Sequence, residues 1–227
     1  MSWYVVWDNA GWLLDGFWVT LQLTASAVII GLVLALVLAL LTLSTHRYYR
    51  WPAETITFFF RGTPLLVQLF LVYYGSGQFR HELDSIGLWT LFREAHFCAI
   101  FVLALNTAAY SAEIFSGAIR SVDKNQIEAG RAVGMTSLVL YRRILLPQAM
   151  RISWTSYSNE IIFIMQATSL VSIITVLDLT GVAGRIISKT FAIYEVYIAI
   201  ALMYLAITYT MVFIFSRLEK RLNRHKI

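Results

Sequence analysis

Residues 29–41 read IIGLVLALVLALL, an apolar run inside a longer stretch, residues 16–45, that carries no charged side chain. A helix needs about 20 residues to cross the hydrocarbon core of a bilayer. The stretch is long enough for this, and the sequence therefore predicts a membrane span at about residues 20–43.

The composition of the whole chain also indicates a membrane protein. Of its 227 residues, 59% are hydrophobic and 14% are charged, whereas an ordinary soluble domain has about 45–50% and about 25%. The 18 Lys and Arg outnumber the 13 Asp and Glu. They lie between the apolar runs, so they reflect membrane topology and do not indicate a nucleic-acid partner. The single Cys98 and the lack of a Cys/His cluster with ligand spacing give disulfide and metal roles no support.

Four further apolar runs follow, and they predict spans at about 55–75, 96–118, 153–176 and 194–215. Arg61, Glu113 and Glu160 lie inside the second, third and fourth of these spans. The expected fold is thus an all-α integral membrane domain covering residues 1–227, with five transmembrane helices. Residues 119–152 form a polar connection between the third and fourth spans, and an odd number of spans places the two termini on opposite sides.

The basic residues predict the orientation of these spans. Most of them fall after the first, third and fifth spans: Arg47, Arg50, Arg120, Lys124, Arg131, Arg142, Arg143, Arg151, Arg217, Lys220, Arg221, Arg224 and Lys226. The opposite loops hold Arg80, Arg93, Arg185 and Lys189. Because cytoplasmic loops are enriched in Lys and Arg, we expect the N-terminus outside and the C-terminus in the cytoplasm.

The polar connection therefore faces the cytoplasm, and residues 127–147 within it read IEAGRAVGMTSLVLYRRILLP. Asp123, with Gln126 three residues later, predicts the start of a short helix. Gly134 suits its end, and Thr136 or Ser137 can begin a second helix, which Pro147 is expected to limit. The small residues of the first helix leave a narrow surface, which favours docking into a groove of another protein.

The spacing within this loop carries a resemblance to a known family. It resembles the EAA signature of ABC importer permeases, in which E-A-A is followed after three residues by glycine and after nine more by I-x-L-P. The resemblance implies a type I importer permease fold and a coupling helix that sits in a cleft of a cytoplasmic ATPase. The matching residues, expected to couple the chain to the ATPase, are Glu128, Ala129, Gly130, Gly134, Leu146 and Pro147. Gly130 replaces the second alanine of the signature, which keeps the position small but weakens the helix by about 1 kcal/mol.

Other segments extend the resemblance over about residues 11–222. Residues 58–79, 105–122 and 157–174 resemble the polar amino acid branch of these permeases, and residues 62–122 are most similar to subunits for arginine and for histidine, lysine, arginine and ornithine. The resemblance implies import of basic amino acids, arginine first. Glutamine, opines or another polar metabolite are the alternative cargo, and an ATP-independent carrier or scaffold is the alternative class of protein.

The partners follow from what the chain lacks. None of its lysines follows a glycine, so it has no phosphate-binding loop. The resemblance then implies that the chain is not an enzyme and binds no cofactor, and that a partner ATPase dimer holds ATP and Mg. It also implies a second permease subunit, with a heterodimer favoured over a homodimer, and an external substrate-binding protein. The chain itself is expected in a bacterial inner membrane. Membrane lipid surrounds the spans.

Polar residues inside the spans are the candidates for the substrate path, because such groups must face protein or water. Glu160 could pair with a cationic side chain, or with Arg151 or Arg61 in a structural role. The residues grouped with it as ligands are Tyr157, Ser158, Asn159, Thr168 and Ser169.

Other polar residues have two readings each. Arg61 begins a Gly-Thr-Pro interruption that forms either a bend lining the path or an interfacial helix start. Gln68 and Glu113 are also candidates for the substrate path. Gln68 could instead join helices, and Glu113 could instead be an interface or structural acid. Asp178 and Glu195 flank an external loop, where they could attract a cationic substrate or contact the binding protein, but they are expected to be solvated loop acids.

Overall fold

The computed structural model describes residues 3–222, which are helical almost throughout and include no strand. Arg224 and Lys226, counted above in the basic tail, lie outside the described residues. The helices are α1 (Tyr4–Asp8), α2 (Ala10–Thr42), α3 (Arg47–Gly62), α4 (Leu65–Ser76), α5 (Arg80–Ser85), α6 (Trp89–Phe92), α7 (Ala95–Arg120), α8 (Lys124–Ala132), α9 (Ser137–Leu140), α10 (Leu146–Ala167), α11 (Leu179–Thr190) and α12 (Ile193–Leu222). Two 3₁₀ stretches (Gly77–Phe79, Thr168–Ile174) and one π-helical stretch (Tyr141–Leu145) join them.

Within residues 3–222, four helical segments are long and apolar enough to cross a membrane: Ala10–Thr42, Ala95–Arg120, Ser137–Ile174 and Ile193–Leu222. A fifth crossing results if Arg47–Gly62 and Leu65–Ser85 count as one span, although these segments meet at an angle of 104°. The second apolar run is therefore a broken helix that begins at Arg47, earlier than the predicted residue 55. The break falls at the Gly-Thr-Pro interruption, where Pro64 precedes the first residue of α4.

The packing of α2 against α7 forms the centre of the fold. Small residues recur every fourth position on α2, at Ala27, Gly31, Ala35 and Ala39, and all four are buried. A Cβ atom at Gly31 would lie 2.4 Å from Thr107 Cγ2 and 3.1 Å from the Ala104 carbonyl oxygen. Since lipid supplies no hydrophobic drive between helices, such close approach of backbones is what stabilises the pair.

The helix that follows the polar connection does not stop at Pro147. The segment from Ser137 to Ile174 is continuous, and Pro147 lies in the first turn of α10, directly after the π-helical stretch. Proline lacks an N–H group, and its ring crowds the carbonyl one turn earlier. A wider π turn directly before the proline interrupts the regular hydrogen-bond pattern there, so the helix can continue through it. The expectation that Pro147 limits the second loop helix is therefore wrong.

Asp178 and Glu195 are buried, which corrects the expectation that they are solvated loop acids. Asp178 is 0% exposed, and its Oδ1 accepts from the Gly181 N–H (2.9 Å) while its Oδ2 accepts from the Tyr204 hydroxyl (3.2 Å). Thr20 Oγ1 also accepts from the Leu179 N–H (3.1 Å). Asp178 thus starts α11 and joins it to α12, and burial raises the pKa of this carboxyl from 3.8 to about 6.

Candidate functional site

The start of α8 is capped by a side chain, as the sequence predicts. Asp123 Oδ1 accepts from the Asn125 N–H at 2.9 Å. Gln126 does not return a bond to the cap, and its side chain instead accepts from the Gln148 amide on α10. The reciprocal capping box is therefore absent, and Gln126 ties the loop helix to the spanning helix.

The end of α8 is a Schellman motif built on Gly134. This residue has φ +78°, the left-handed conformation that glycine adopts at least cost. The Gly134 N–H donates to the Arg131 carbonyl (3.0 Å) and the Met135 N–H donates to the Gly130 carbonyl (3.0 Å). No atom lies within 4 Å of a Cβ built at Gly134, so backbone conformation, and not space, requires glycine here.

Gly130 faces the inside of the loop. A Cβ there would meet Ile144 Cδ1 at 3.1 Å, Leu140 Cδ1 at 3.3 Å and Met135 Sδ at 3.4 Å. The departure from the EAA signature thus lies where α8 packs on α9 and the π-helical stretch. Glu128 and Ala129, by contrast, are exposed.

The outer surface of the loop carries two apolar side chains that sequence reasoning did not select as docking residues. Val133 is 74% exposed and Leu138 is 76% exposed. Leu138 could have been recognised as a docking residue from the sequence, because it is an apolar residue in a polar, basic segment outside the spans. Leu146 and Pro147, the last residues of the signature, are also exposed, at the first turn of α10.

The break between α3 and α4 is closed by the Gln68 side chain. Its amide nitrogen donates to the carbonyl oxygens of Phe60 (2.9 Å) and Thr63 (3.0 Å) and to Thr63 Oγ1 (2.8 Å). Asn106 on α7 donates to Gln68 Oε1 (3.1 Å) and to the Phe60 carbonyl (3.3 Å). Gln68 therefore satisfies backbone groups that the break leaves without helical partners, and it joins α4 to α7 through Asn106.

Arg61 and Glu113 form an ion pair next to this break. The distance from Arg61 Nη1 to Glu113 Oε2 is 3.2 Å, and both side chains are partly exposed. The Arg61 guanidinium also lies 5.6 Å from the centre of the Tyr110 ring, and the Tyr110 hydroxyl donates to the Arg61 carbonyl (3.3 Å). Arg61 is thus paired with Glu113, and the expected pair with Glu160 is not formed.

The residues around Glu160 point in different directions. Glu160 is 8% exposed and its Oε1 is buried without a hydrogen-bond partner, whereas Asn159 is exposed. Tyr157 is half-buried, with its ring 5.0 Å from that of Phe115. Ser158 is buried and its hydroxyl donates to the Trp154 and Thr155 carbonyls. Successive helix residues differ by about 100° in direction, so these four neighbours do not form one cluster.

Thr168 and Ser169 lie in the 3₁₀ stretch after α10. Thr168 is fully buried and its hydroxyl donates to the Met165 carbonyl (2.7 Å). Ser169 is half-buried. The Thr168 hydroxyl is therefore committed to its own backbone.

A polar stripe follows the uncovered side of α10. It consists of Thr155, Ser156, Asn159 and Gln166, all exposed and spaced at helical intervals, and the exposed Phe163 lies between Asn159 and Gln166 on the same side. Thr155 Oγ1 donates to Glu219 Oε1 on α12 (2.7 Å). The sequence analysis names only Asn159 from this stripe. The spacings of Asn159 from Ser156 (three residues), Thr155 (four) and Gln166 (seven) are those of one helix face and could have indicated the whole stripe.

Solved structures share this architecture. The chain superposes on an amino acid ABC transporter crystallised with histidines with a TM-score of 0.87, 34% identity, and coverage of 97% of this chain and 99% of the other. A methionine ABC transporter, MetNI, in an inward-facing conformation gives a TM-score of 0.76 at 19% identity over 95% of this chain and 98% of the other, which supports the fold alone.

Curated relatives cover nearly the whole chain. The nopaline transport system permease protein NocM of Agrobacterium fabrum is 47% identical over 91% of this chain and 86% of its own length. The octopine permease protein OccM of Rhizobium meliloti is 43% identical, with 94% and 87% covered. The histidine/lysine/arginine/ornithine permease protein HisM of Escherichia coli K12 is 40% identical, with 97% and 92% covered.

The family model described as "binding-protein-dependent transport system inner membrane component" matches residues 21–224. This range contains the broken second span, the Schellman loop and the polar stripe. The chain therefore belongs to the family of binding-protein-dependent transport system inner membrane components.

Proposed function

We propose that this chain is the permease subunit through which an ABC importer carries cationic amino acids, arginine first and then histidine, lysine and ornithine. It lies in a bacterial inner membrane with its N-terminus outside and its C-terminus in the cytoplasm. Membership of a binding-protein-dependent family argues against an ATP-independent carrier or scaffold.

The polar stripe on α10 is the observation that carries a transport role. Amide and hydroxyl groups at membrane depth are costly against lipid, so Ser156, Asn159 and Gln166 require water or another protein chain. A second permease subunit packed near this face would enclose a polar path between the two chains. We favour a heterodimer for this pair, loaded from outside by a substrate-binding protein.

The loop formed by α8 and α9 provides the contact with a cytoplasmic ATPase dimer. Its outward residues, among them Ala129, Val133 and Leu138, offer a small apolar surface of the kind that enters a groove. Because α9 continues into the spanning helix α10 without a break, a displacement of the loop moves the helix that carries the polar stripe. ATP and Mg belong to the ATPase, and this chain acts mechanically.

Alternating access follows as rigid-body motion of packed helices. Closure of the ATPase dimer would displace α8 and α10, and the break between α3 and α4 would allow the two halves of the second span to move separately. The Arg61–Glu113 ion pair lies beside this break.

Glu160 gives the proposed preference for cations. Its carboxylate is hydrogen-bonded to Thr107, but its Oε1 has no partner among the described residues, and a buried carboxylate oxygen left without a donor is costly. We propose that a guanidinium or ammonium group supplies the partner once α10 moves relative to α7. The backbone end of the substrate, separated from that group by the length of its side chain, would bind Asn159 about 100° further around the helix.

Replacement of Glu160 tests this role. Glu160→Gln keeps the size and removes the charge, so uptake of arginine in proteoliposomes should fall about tenfold or more, because a charged hydrogen bond contributes about 1.5–3 kcal/mol. Asn159→Ala should weaken uptake of every substrate by a similar factor. Equal loss of arginine and glutamine uptake in Glu160→Gln would contradict a role in cation selection.

Opines are the second candidate cargo. The similarity to permeases named for nopaline and octopine favours them, and both compounds are arginine derivatives that keep the guanidinium group. The role proposed for Glu160 is therefore the same for either cargo. Comparing the rate of arginine uptake with the rate of octopine uptake in the same proteoliposomes distinguishes the two candidate cargoes.

A further inference from the structure

An apolar groove lies on the outer side of the bundle, where α2, α7 and α10 meet. Its volume is about 460 Å³, within the range of about 300–1,000 Å³ seen for small-ligand pockets. Its lining includes Leu36 of α2, Phe115 of α7, and Met150, Trp154 and Tyr157 of α10. Almost all of these side chains are apolar, and they belong to the ends of the helices that carry the basic residues.

The groove and the polar stripe lie on different sides of α10. At about 100° per residue, the α10 residues that line the groove, among them Ala149, Ser153 and Tyr157, point on average roughly 150° away from the mean direction of the four stripe residues. A neighbouring permease that covers the stripe therefore leaves the groove open to the bilayer. At this depth the bilayer offers acyl chains, which match an apolar lining.

Two exposed basic residues follow a groove residue directly in sequence. Arg142 and Arg143 lie between Tyr141 and Leu146, which both line it, and both arginines are exposed. Within residues 3–222, the ion pairs that form involve Arg50, Arg61 and Arg93, so no carboxylate there neutralises Arg142 or Arg143. Clustered arginines between spanning helices attract anionic headgroups.

We propose that this groove binds an anionic phospholipid, with one acyl chain between α2 and α10 and the phosphate on Arg142 and Arg143. The charge of the rim selects the headgroup and the apolar lining selects the chain. The bound lipid would contact the π-helical stretch that links the loop to α10, without taking part in the substrate path.

A photoreactive lipid tests the proposal directly. The permease, purified with its partner subunits, is reconstituted in vesicles that contain phosphatidylglycerol with a diazirine midway along one acyl chain, and adducts are mapped by mass spectrometry. Phosphatidylcholine with the same chain is the reference. Labelling of the peptides that carry Leu36, Met150 and Tyr157 should be about tenfold stronger with phosphatidylglycerol, because two basic residues favour an anionic headgroup.

Matched variants separate the groove from general contact with lipid. Leu36→Trp fills the groove from an exposed position and should reduce this labelling several-fold, whereas Val37→Trp, exposed on α2 but outside the lining, should not. Arg142→Gln with Arg143→Gln should remove the preference for phosphatidylglycerol. Arg217→Gln with Arg221→Gln removes the same amount of charge at the C-terminal end of α12, outside the groove lining, and should keep the preference for phosphatidylglycerol.

Each contrary result overturns the proposal. Equal labelling by the two lipids would exclude selection by the rim, and labelling unchanged by Leu36→Trp would exclude occupation of the groove. Adducts absent from these peptides would show that another chain covers the groove. Transport of substrate does not enter the readout, so failure of the lipid site and failure of the proposed transport function remain distinguishable.

Discussion

At the residue scale, Gly134 and Gly130 act on the same loop in different ways. Gly134 supplies a positive φ that few other residues adopt, and Gly130 supplies room for Ile144 and Leu140. The spacing of the signature marked both positions. Their separate roles needed the structure, because spacing does not report whether a glycine is required for its backbone angle or for its size.

Gly134→Val should separate ATP hydrolysis from transport. A β-branched residue at φ +78° costs about 1–3 kcal/mol, which would distort the Schellman motif that ends α8. In proteoliposomes with the partner ATPase, we expect fewer substrate molecules moved per ATP, with normal membrane insertion.

Gly134→Asn is the matched control, since asparagine tolerates the left-handed conformation better than valine does. It should retain most of the transport. Unchanged transport per ATP in Gly134→Val would remove the coupling role from this loop.

At the element scale, the broken second span depends on one side chain. Gln68 binds the carbonyl oxygens of Phe60 and Thr63 where Pro64 interrupts the helix. Gly-Thr-Pro predicted an interruption, but the 104° bend and the use of Gln68 as its closure depend on Asn106, which is distant in sequence.

Gln68→Leu should destabilise the protein by about 1–3 kcal/mol, because the Thr63 carbonyl loses its donor while the Phe60 carbonyl keeps the bond from Asn106. Gln68→Glu should also destabilise it, because the carboxylate cannot donate to either carbonyl. Thr63→Val removes one acceptor and keeps both carbonyl bonds, so its effect should be small. Thermal unfolding in detergent measures all three, and a Gln68→Leu protein as stable as the parent would refute this account of the break.

Asp178 gives α11 a pH-dependent contribution to stability. Burial holds its pKa at about 6 against 3.8 in an exposed carboxyl. Below about pH 4 the group is protonated in both the folded and the unfolded chain. As the pH rises to about 6 the unfolded chain releases its proton first, so this group lowers the free energy of unfolding, by up to about 3 kcal/mol.

The Asp178→Asn protein should lack this decline, because the amide oxygen can still accept from the Gly181 N–H without a charge. Unfolding temperatures measured between pH 4 and pH 7 for both proteins check the prediction. Parallel pH profiles would show that Asp178 does not titrate differently on folding.

At the scale of the whole molecule, the sequence predicted the features that depend on the distribution of charge and on the length of the apolar runs. Runs without charge located the spans, and the long EAA spacing located the loop. The sequence did not predict the continuity from Ser137 to Ile174, because proline is tolerated where a π turn adjusts the helix before it. It also grouped Glu160 with Asn159, although one is buried and the other is exposed, since adjacent helix residues point in different directions.

We propose above all that a partner ATPase drives this chain to import a cationic amino acid. The most direct measurement is the ATPase activity of the reconstituted complex with its binding protein loaded in turn with arginine, histidine, lysine, ornithine, glutamine and octopine. We predict stimulation by a loaded form that carries a cationic side chain, with arginine strongest. An ATPase that co-purifies but responds only to glutamine would contradict the cargo, and a chain that purifies without any ATPase would contradict the mechanism.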